Sequence, residues 1–199
     1  MSGGVDSSVV AYLLQQEGYD VVGAFMKQWT GAESLSGVCT WKEDRRDAIR
    51  VASFLGVPLI TLDFEKEYRD MVMTYFFQEY EKGRTPNPDV MCNKWIKFGF
   101  WLEKAQELGF DFLATGHYAK ISKNDIGTYF LEKGRDKFKD QSYFLFTLKQ
   151  KELSRLMFPL GDFTKEQVRE ISEGFELSVA TKKDSQDVCF IAKDYRSFI

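Results

Sequence analysis

The sequence predicts an α/β protein whose strands run parallel. Three junctions share one form, in which an apolar-striped helix ends at a glycine and a short apolar strand follows. These junctions cover residues 17–22, 55–60 and 108–113. A glycine just past a helix end adopts the left-handed conformation that closes the last turn. Because helices that alternate with buried strands are typical of parallel sheets, we expect an open parallel sheet followed by a smaller, mostly helical unit.

Each expected helix carries apolar residues at helical spacing. The stripes are Val9, Val10, Leu13 and Leu14; Ile49, Ala52, Phe54 and Leu55; Tyr68, Met71, Val72, Tyr75 and Phe76; and Phe98, Trp101, Leu102 and Ala105. Two helices have the residues of a capping box at their start, Thr40 with Glu43 and Thr164 with Gln167. A turn at residues 124–127 joins two short apolar runs and predicts a hairpin.

Composition limits the possible functions. The chain has 199 residues, 44% of them hydrophobic, which suffices for one large domain or for one domain with an appendage. The net charge of −3 excludes a chain that is basic throughout, although local lysine and arginine clusters can still contact RNA phosphates. No apolar run approaches the roughly 20 residues of a membrane span and no secretory signal is visible, so no membrane partner is expected.

The cysteines indicate a reducing compartment. There are three of them, an odd and sparse set, which argues against a secreted disulfide framework and for a cytoplasmic location. With one histidine and no close cysteine pair, no zinc site is expected. Cys39 lies in a context that suggests no chemistry, and we expect it to be structural.

Residues 2–8 predict a phosphate-binding loop. The sequence Ser-Gly-Gly-Val-Asp-Ser-Ser leads directly into an apolar helix. Backbone N–H groups of such a loop can approach oxyanions closely, and the helix that follows directs its positive end at them. No Gly-Lys-Ser/Thr follows, which excludes the common nucleotide loop. The loop instead resembles that of the ATP pyrophosphatases, which cleave ATP between its α and β phosphates.

Asp6 is the one charged residue of this loop. A carboxylate beside phosphates is repulsive unless a cation lies between them, and Mg²⁺ is the natural bridge. The alternative is that Asp6 caps the helix, and both roles are compatible. Such a loop normally follows a buried parallel strand, but only Met1 precedes it. We therefore expect that the first strand of the sheet is missing, and that the reading frame extends further in at least one direction or encodes a partial product.

A second candidate segment covers residues 83–93. Its two prolines stiffen a loop between helices, and the loop carries Asn, Asp and Cys side chains. Asp89 and Cys92 are close enough in sequence to face one pocket. The alternative is a simple connecting turn with a buried cysteine.

The third candidate segment covers residues 182–191. Cys189 follows a charged run and precedes an apolar one, and the two nearby lysines would favour its thiolate. The alternative is a small buried side chain, the more common fate of a cysteine outside a disulfide.

Two further segments point to ligand contacts. Residues 114–118 directly follow the third expected strand, where ligands of open α/β sheets gather. There Gly116 would permit the close approach of a nucleotide, and His117 either contacts a ligand or is structural. Residues 133–143 contain four cations within seven positions around Phe138, which suits contact with an RNA backbone but also a solvated loop.

These segments, in this order, resemble the tRNA-specific 2-thiouridylase family. The segments that carry the resemblance are residues 2–8, 26–29, 83–93, 114–118, 139–143 and 183–191. Within the ATP pyrophosphatases, two features are specific to this family: Thr-Pro-Asn-Pro-Asp with Cys92, and Asp184-Ser185 leading to Cys189. The resemblance implies a sheet of the adenine-nucleotide α-hydrolase type. It also implies thiolation of the wobble uridine in tRNA anticodons.

The resemblance implies a chemistry and a set of site residues. The uracil C2 oxygen attacks the α phosphate of ATP, a sulfur-relay protein loads Cys189 with a persulfide, and Cys92 later forms a disulfide with Cys189. Asp89 is the general acid or base. Residues implied to bind ATP are Ser2, Gly3, Gly4, Val5, Asp6, Ser7, Ser8, Met26 and Gly116. Residues implied to bind the anticodon stem-loop are Asn87, Pro88, Asp89, His117, Lys139, Asp140 and Gln141.

The resemblance also suggests the domain organisation. Residues 1–140 correspond to the catalytic domain and residues 141–199 to part of a small domain that contacts tRNA. The family continues into a β-barrel region that this sequence does not contain.

Two other functions fit parts of the sequence. An amide-forming ligase of the same superfamily would share the loop and the fold but would not need two cysteines in separate segments. A remnant that only binds nucleotide or tRNA would not need Asp6, Asp89, Cys92 and Cys189 together. Substitution of each cysteine by serine separates the ligase from the thiouridylase, and pyrophosphate release in the presence of tRNA separates both from the remnant.

Overall fold

The computed structural model describes residues 1–27, 40–175 and 177–182. The helices of this part are α1 (Val5–Gln16), α2 (Thr40–Leu55), α3 (65–81), α4 (88–107), α5 (Gln150–Leu153) and α6 (Lys165–Gly174). The strands are β1 (Gly23–Lys27), β2 (Leu59–Asp63), β3 (Leu113–Ala114), β4 (Ala119–Lys123), β5 (Tyr129–Lys133) and β6 (Leu156–Met157). The expected alternation of helices and parallel strands is confirmed. No helix in the described ranges is long and apolar enough to cross a membrane.

Glycines end the helices at all three predicted junctions. Gly18, Gly56 and Gly109 have φ values of +86°, +68° and +86°. This left-handed conformation suits glycine because a side chain there would crowd the backbone. Each helix then gives way to β1, β2 or β3 within a few residues, as the sequence predicts.

The apolar stripes of α1, α3 and α4 lie in the core, but the stripe predicted for α2 is partly wrong. Ile49 and Phe54 of α2 are 41% and 60% exposed, whereas Ala48 and Val51 are fully buried. The buried face of α2 recurs at positions 48, 51, 52 and 55, which is regular helical spacing. The prediction from the sequence favoured Ile49 and Phe54 over Ala48 and Val51 because their apolar side chains are larger. Ile49 and Phe54 nevertheless lie on the solvent face of α2.

Both long helices contain a π-helical stretch. In α3 it covers Tyr68–Met73, and in α4 it covers Cys92–Phe100. A π turn inserts an extra residue into the helix and rotates the side chains that follow, and such turns are frequent at functional sites. In α4 this stretch begins at the cysteine of the second candidate segment.

The parallel strands of the described ranges form two separate pairs. β1 pairs with β2, and β3 pairs with β6. Between β1 and β3 lies a cavity of about 410 Å³, lined by Gly23 and Ala24 on one side and by Leu113 and Ala114 on the other. Among the described residues no strand lies between β1 and β3, which agrees with the expectation of an open parallel sheet whose first strand is missing.

The region after residue 116 contains the hairpin and the short helices that the sequence predicts. β4 and β5 form the expected antiparallel hairpin. The expected capping box of α6 is confirmed, since the Thr164 side chain accepts from the Gln167 N–H and the Gln167 side chain accepts from the Thr164 N–H. β6 lies in this later region and still pairs with β3, so a strand after residue 140 contributes to the same sheet pair. The division at residue 140 stays a prediction.

Candidate active site

The loop at residues 2–8 is closed by its own serines. The Ser2 N–H donates to the Ser7 hydroxyl at 3.0 Å, and the Ser8 hydroxyl donates to the Gly4 carbonyl at 2.8 Å. Ser8 is fully buried, so its hydroxyl belongs to the loop and not to a ligand surface. Ser2 is exposed, and Gly4 and Ser7 are half-buried at the start of α1. The backbone N–H groups there are the groups best placed to meet an anion.

Gly3 holds this loop against α2. Its φ is +77°, and a Cβ atom on Gly3 would lie 2.1 Å from the Asp44 carbonyl oxygen. The ammonium of Lys182 completes the contact, because its Nζ lies 3.0 Å from the Gly3 carbonyl oxygen and within 2.8 Å of the Asp44 and Asp47 carboxylates. Three distant parts of the sequence therefore fix the geometry of the loop.

Asp6 does not cap α1. The N-cap residue is Gly4, which makes no side-chain capping bond, and Asp6 lies in the first turn of the helix. One oxygen of Asp6, Oδ1, accepts hydrogen bonds from the Tyr118 hydroxyl at 2.9 Å and from Lys165 Nζ at 2.7 Å. The carboxylate is thus already paired with a cation of the protein.

The expected Mg²⁺ bridge between Asp6 and phosphates stays a prediction. Lys165 already places an ammonium on Oδ1 of this carboxylate. Within the described ranges, no group of three or more acidic, histidine or cysteine side chains converges as a metal site would require.

Residues 115–118 connect the loop with α4. A Cβ atom on Gly116 would lie 3.0 Å from Asp6 Cβ and 3.3 Å from the Ser7 nitrogen, so the close approach that Gly116 permits is that of the loop itself. On the other side, the His117 ring packs between Phe98 and Phe158, with ring centroids 5.6 and 5.7 Å away. The segment that ends β3 therefore touches both candidate regions.

The start of α4 presents the second candidate segment. The Asn87 side chain accepts from the Val90 N–H at 3.1 Å, and Pro88 occupies the first helical turn, where its missing N–H is harmless. This cap places Asp89 half-buried at the helix start and Cys92 one turn later, 3% exposed. Cys92 is therefore buried, which is one of the two alternatives that the sequence left open.

Asn93 lies beside Cys92 and is also 3% exposed. Its Nδ2 donates to the Phe144 carbonyl at 3.2 Å, but its Oδ1 has no hydrogen-bond partner among the described residues. A buried acceptor without a donor is costly, so this oxygen marks a place where a further group would be stabilising.

Lys97 links Asp89 and His117 electrostatically. Burial raises the pKa of Asp89, and the charge of Lys97 opposes this rise. Burial also lowers the pKa of His117 well below its usual value, and Lys97 lowers it further. His117 is therefore neutral at neutral pH, and its Nδ1 is hydrogen-bonded to the Thr115 hydroxyl at 2.6 Å. The two titratable groups share one electrostatic environment.

The basic segment at residues 133–143 is an ordered loop. Asp140 accepts from the Gly134 N–H at 2.9 Å, and Gln141 exchanges hydrogen bonds with the backbone of Tyr118. Phe138 is fully exposed, and the Tyr143 ring is 64% exposed. Asp140 and Gln141 therefore shape the loop, while exposed aromatic side chains face solvent beside Lys137 and Lys139.

Some predicted residues lie outside the described residues. They are Cys39, Trp29, Gln28 and the whole of residues 183–191 with Cys189. The pairing of Cys92 with Cys189 therefore stays a prediction. Met26 lies on β1, half-buried against the core that contains Cys92.

The structure gives Lys97 and Lys165 roles that the sequence did not assign, and it gives Lys182 a further one. Each makes contacts with residues far away in the chain or acts on them electrostatically, so no local motif marks it. Among the described residues the Lys182 ammonium binds the loop and α2. The predicted effect of Lys182 and Lys183 on the Cys189 thiolate stays a prediction, because Cys189 lies outside the described residues.

Parallel strand pairs, connecting helices and a glycine–serine loop at the start of α1 define an α/β protein of the adenine-nucleotide α-hydrolase fold class. The chain belongs to the tRNA methyl transferase HUP domain family, whose model matches residues 1–193.

Curated relatives cover the whole chain. A tRNA-specific 2-thiouridylase MnmA from Staphylococcus epidermidis is 53% identical over 100% of this chain and 54% of its own length. A protein of the same name from Levilactobacillus brevis is 54% identical over 97% of this chain and 51% of its own length. The chain thus spans about half the length of these relatives.

Two solved structures share the fold. A predicted subunit of tRNA methyltransferase from Methanocaldococcus jannaschii matches with a TM-score of 0.51 and 19% identity, over 87% of this chain and 71% of that chain. NMN synthetase from Francisella tularensis matches with a TM-score of 0.55 and 16% identity, over 93% of this chain and 64% of that chain. At these identities the likeness concerns the fold alone.

Proposed function

We propose that this chain forms the adenylating and sulfur-transferring part of a tRNA-specific 2-thiouridylase. The reaction would replace the C2 oxygen of the wobble uridine in tRNA anticodons by sulfur and would consume ATP. The names of relatives about half identical to this chain support the proposal. Its substrates are tRNA, ATP and a persulfide delivered by a sulfur-relay protein, and the cysteine content suits a cytoplasmic location.

One observation carries the proposal. Residues 115–118, directly after β3, contact the loop through Gly116 and pack against α4 through His117. A nucleotide held at the loop and a base held beside Asp89 would therefore lie on two sides of one short segment. This is the arrangement that transfer between ATP and a pyrimidine requires, because the reacting atoms must be held close together.

The first step would activate the base. Backbone N–H groups at the start of α1 hold the outer phosphates of ATP. Asp89 accepts the proton of uracil N3, and the C2 oxygen then attacks the α phosphorus, so that pyrophosphate leaves and an adenylated base forms. Burial raises the pKa of Asp89, which makes this carboxylate a stronger base and a more competent proton carrier at neutral pH. We propose that any Mg²⁺ enters bound to the phosphates of ATP.

The second step would deliver sulfur. The terminal sulfur of a persulfide on Cys189 attacks C2 and displaces AMP, which leaves the base joined to Cys189 through a disulfide. The Cys92 thiolate then attacks the Cys189 sulfur, forms the protein disulfide and releases the thiolated base. Because Cys92 is 3% exposed, its thiol must become accessible during the reaction. An external dithiol then reduces the disulfide.

The base would be held outside its stack. Chemistry on the ring of a base in folded RNA requires the base to leave the stack. We propose that Asn87, Pro88 and Asp89 surround it, and that the uncompensated Asn93 Oδ1 meets a donor supplied by the complex. Residues 133–143 would contact the RNA, with lysines on phosphates and Phe138 available for stacking.

The test uses the chain with tRNA, ATP and a persulfide donor. Pyrophosphate release is measured together with mass spectrometry of the tRNA nucleosides. We expect Cys92→Ser to retain pyrophosphate release and to lose 2-thiouridine, and Asp89→Asn to lose both. Pyrophosphate release without any 2-thiouridine, in the unchanged chain and in Cys92→Ser alike, would favour a ligase, and a methylated nucleoside formed from S-adenosylmethionine would favour methyl transfer. Either result would overturn the proposal.

A further inference from the structure

We infer that Lys165 is a positioning residue that supplies the positive charge beside Asp6, the place that the sequence assigns to Mg²⁺. The inference deepens the proposed function, because it takes the loop at residues 2–8 to hold the phosphates of ATP. Lys165 lies at the start of α6, and 159 positions separate it from Asp6.

The contact between Lys165 and Asp6 is built into the fold. Lys165 Nζ lies 2.7 Å from Asp6 Oδ1, and the lysine side chain is only 7% exposed. The Tyr118 hydroxyl donates to the same oxygen at 2.9 Å, and Tyr118 is 2% exposed. The ammonium also lies 6.0 Å from the centroid of the Tyr118 ring. A buried ammonium is tolerated only when it is paired, and Asp6 pairs it.

The partly exposed partner is Asp6. Asp6 belongs to the loop at residues 2–8, and its side chain is 33% exposed. A carboxylate at this place repels phosphate oxygens, whereas a carboxylate that shares its charge with an ammonium does not. Lys165 therefore makes the start of α1 compatible with an anionic ligand, and no second cation is required at Asp6.

Lys165 also connects the loop with the basic segment. Its backbone N–H donates to Asp136 Oδ2 at 2.9 Å. Asp136 Oδ1 accepts from the N–H groups of Phe138 and Lys139 at 2.9 and 3.1 Å. These hydrogen bonds lower the pKa of Asp136, and the bond from the Lys165 N–H has the largest effect. One residue thus joins the loop to the segment that we propose contacts tRNA.

The test is a charge-compensation cycle on the whole chain. The variants are Lys165→Met, Asp6→Asn, the combination of both, and Lys165→Arg. Lys151→Met is the control, because that side chain is 70% exposed. The affinity for ATP is measured by calorimetry with Mg²⁺ present, and the unfolding midpoint is measured without ligand.

We expect Lys165→Met to weaken ATP binding by about tenfold or more, because an uncompensated carboxylate then faces the phosphates. The double variant should regain most of the affinity, and Lys165→Arg should keep it. A double variant as weak as Lys165→Met would overturn the inference, since Lys165 would then bind ATP directly or serve only folding. An unchanged affinity of Lys165→Met would overturn it as well.

The unfolding midpoint distinguishes a failure of this inference from a failure of the proposed function. If the unchanged chain binds no ATP, the proposed function fails, but the pairing still predicts that Lys165→Met unfolds at a lower temperature than the double variant. Equal midpoints for these two variants would refute the pairing whatever the chain binds.

Discussion

The ammonium of Lys182 lies 3.0 Å from the carbonyl oxygen of Gly3, 179 positions away in the sequence. The same ammonium contacts Asp44 at 2.8 Å and Asp47 at 2.7 Å. Burial lowers the pKa of Lys182, but the hydrogen bonds to Asp44 and Asp47 outweigh burial, so the pKa is raised. This contact therefore ties the phosphate loop and α2 to residues 177–182.

Loss of the Lys182 ammonium should destabilise the chain. We expect Lys182→Met to lower the free energy of unfolding by about 1.5–3 kcal/mol, the range for hydrogen bonds to charged groups. A raised lysine pKa adds stability that is fully present below the ordinary lysine pKa and is lost only as the pH rises through the raised value. Urea denaturation at neutral pH measures the effect. The exposed Lys151→Met is the control, and equal losses in both variants would contradict the assignment.

Gly3 and Gly4 form a matched pair. An alanine at position 3 meets a positive φ of +77° and a carbonyl oxygen at 2.1 Å, whereas an alanine at position 4 meets its nearest atom at 3.5 Å. We expect Gly3→Ala to cost at least about 1–2 kcal/mol. Gly4→Ala should cost less, about 1 kcal/mol or below, because it meets no clash and only replaces glycine by alanine at the N-cap of α1. Thermal unfolding without ligand checks both, and a harmless Gly3→Ala would show that the loop does not need this contact with α2.

Asp89 should make stability depend on pH. Burial raises its pKa above 3.8, so the folded protein favours the neutral form, and the free energy of unfolding falls as the pH rises through the raised value. Asp89→Asn mimics the neutral carboxyl and should remove this fall in the free energy of unfolding. The variant should therefore be increasingly more stable than the unchanged chain as the pH rises. Unfolding midpoints across the acid-to-neutral range test this. Exposed Asp125→Asn serves as the control, and a parallel pH profile for Asp89→Asn would disprove the expectation.

The cavity between β1 and β3 should accept an added strand. Gly23 and Ala24 of β1 line it on one side, and Leu113 and Ala114 of β3 line it on the other. A designed extension of about five valine and isoleucine residues before Met1 would bury apolar surface there.

We expect this extension to raise the unfolding midpoint by at least about 5 °C. A glycine–serine extension of the same length is the control. It has the same length, but it supplies no apolar side chains for the cavity. Equal gains from both extensions would show that the cavity does not select an apolar strand.

The sequence determined the local elements. The three glycine junctions, the hairpin of β4 and β5 and the capping box of α6 all depend on residues a few positions apart. Such elements follow from backbone sterics and short-range hydrogen bonds, which a sequence displays directly. The prediction of the buried face of α2 was partly wrong because periodicity shows which residues share a face but not which face meets the core.

The candidate site was only partly visible in the sequence. The loop at residues 2–8 and the segment with Asp89 and Cys92 are compact motifs, and their residue types indicate their chemistry. Nothing local marks Lys165 or Lys182, because a lysine that pairs with a distant carboxylate looks in sequence like any exposed lysine. Lys97 shares a helix with Asp89, but its effect on His117 depends on how that helix packs.

By itself, then, the sequence determined the α/β class, the helix ends, and a loop of small residues suited to anions. Only the tertiary structure decided that Asp6 pairs with Lys165, that residues 115–118 touch both the loop and α4, and that β1 and β3 stand apart. The reason is physical. Contacts across a hundred or more positions depend on how helices and strands pack, and packing is a property of the whole core and not of any one segment.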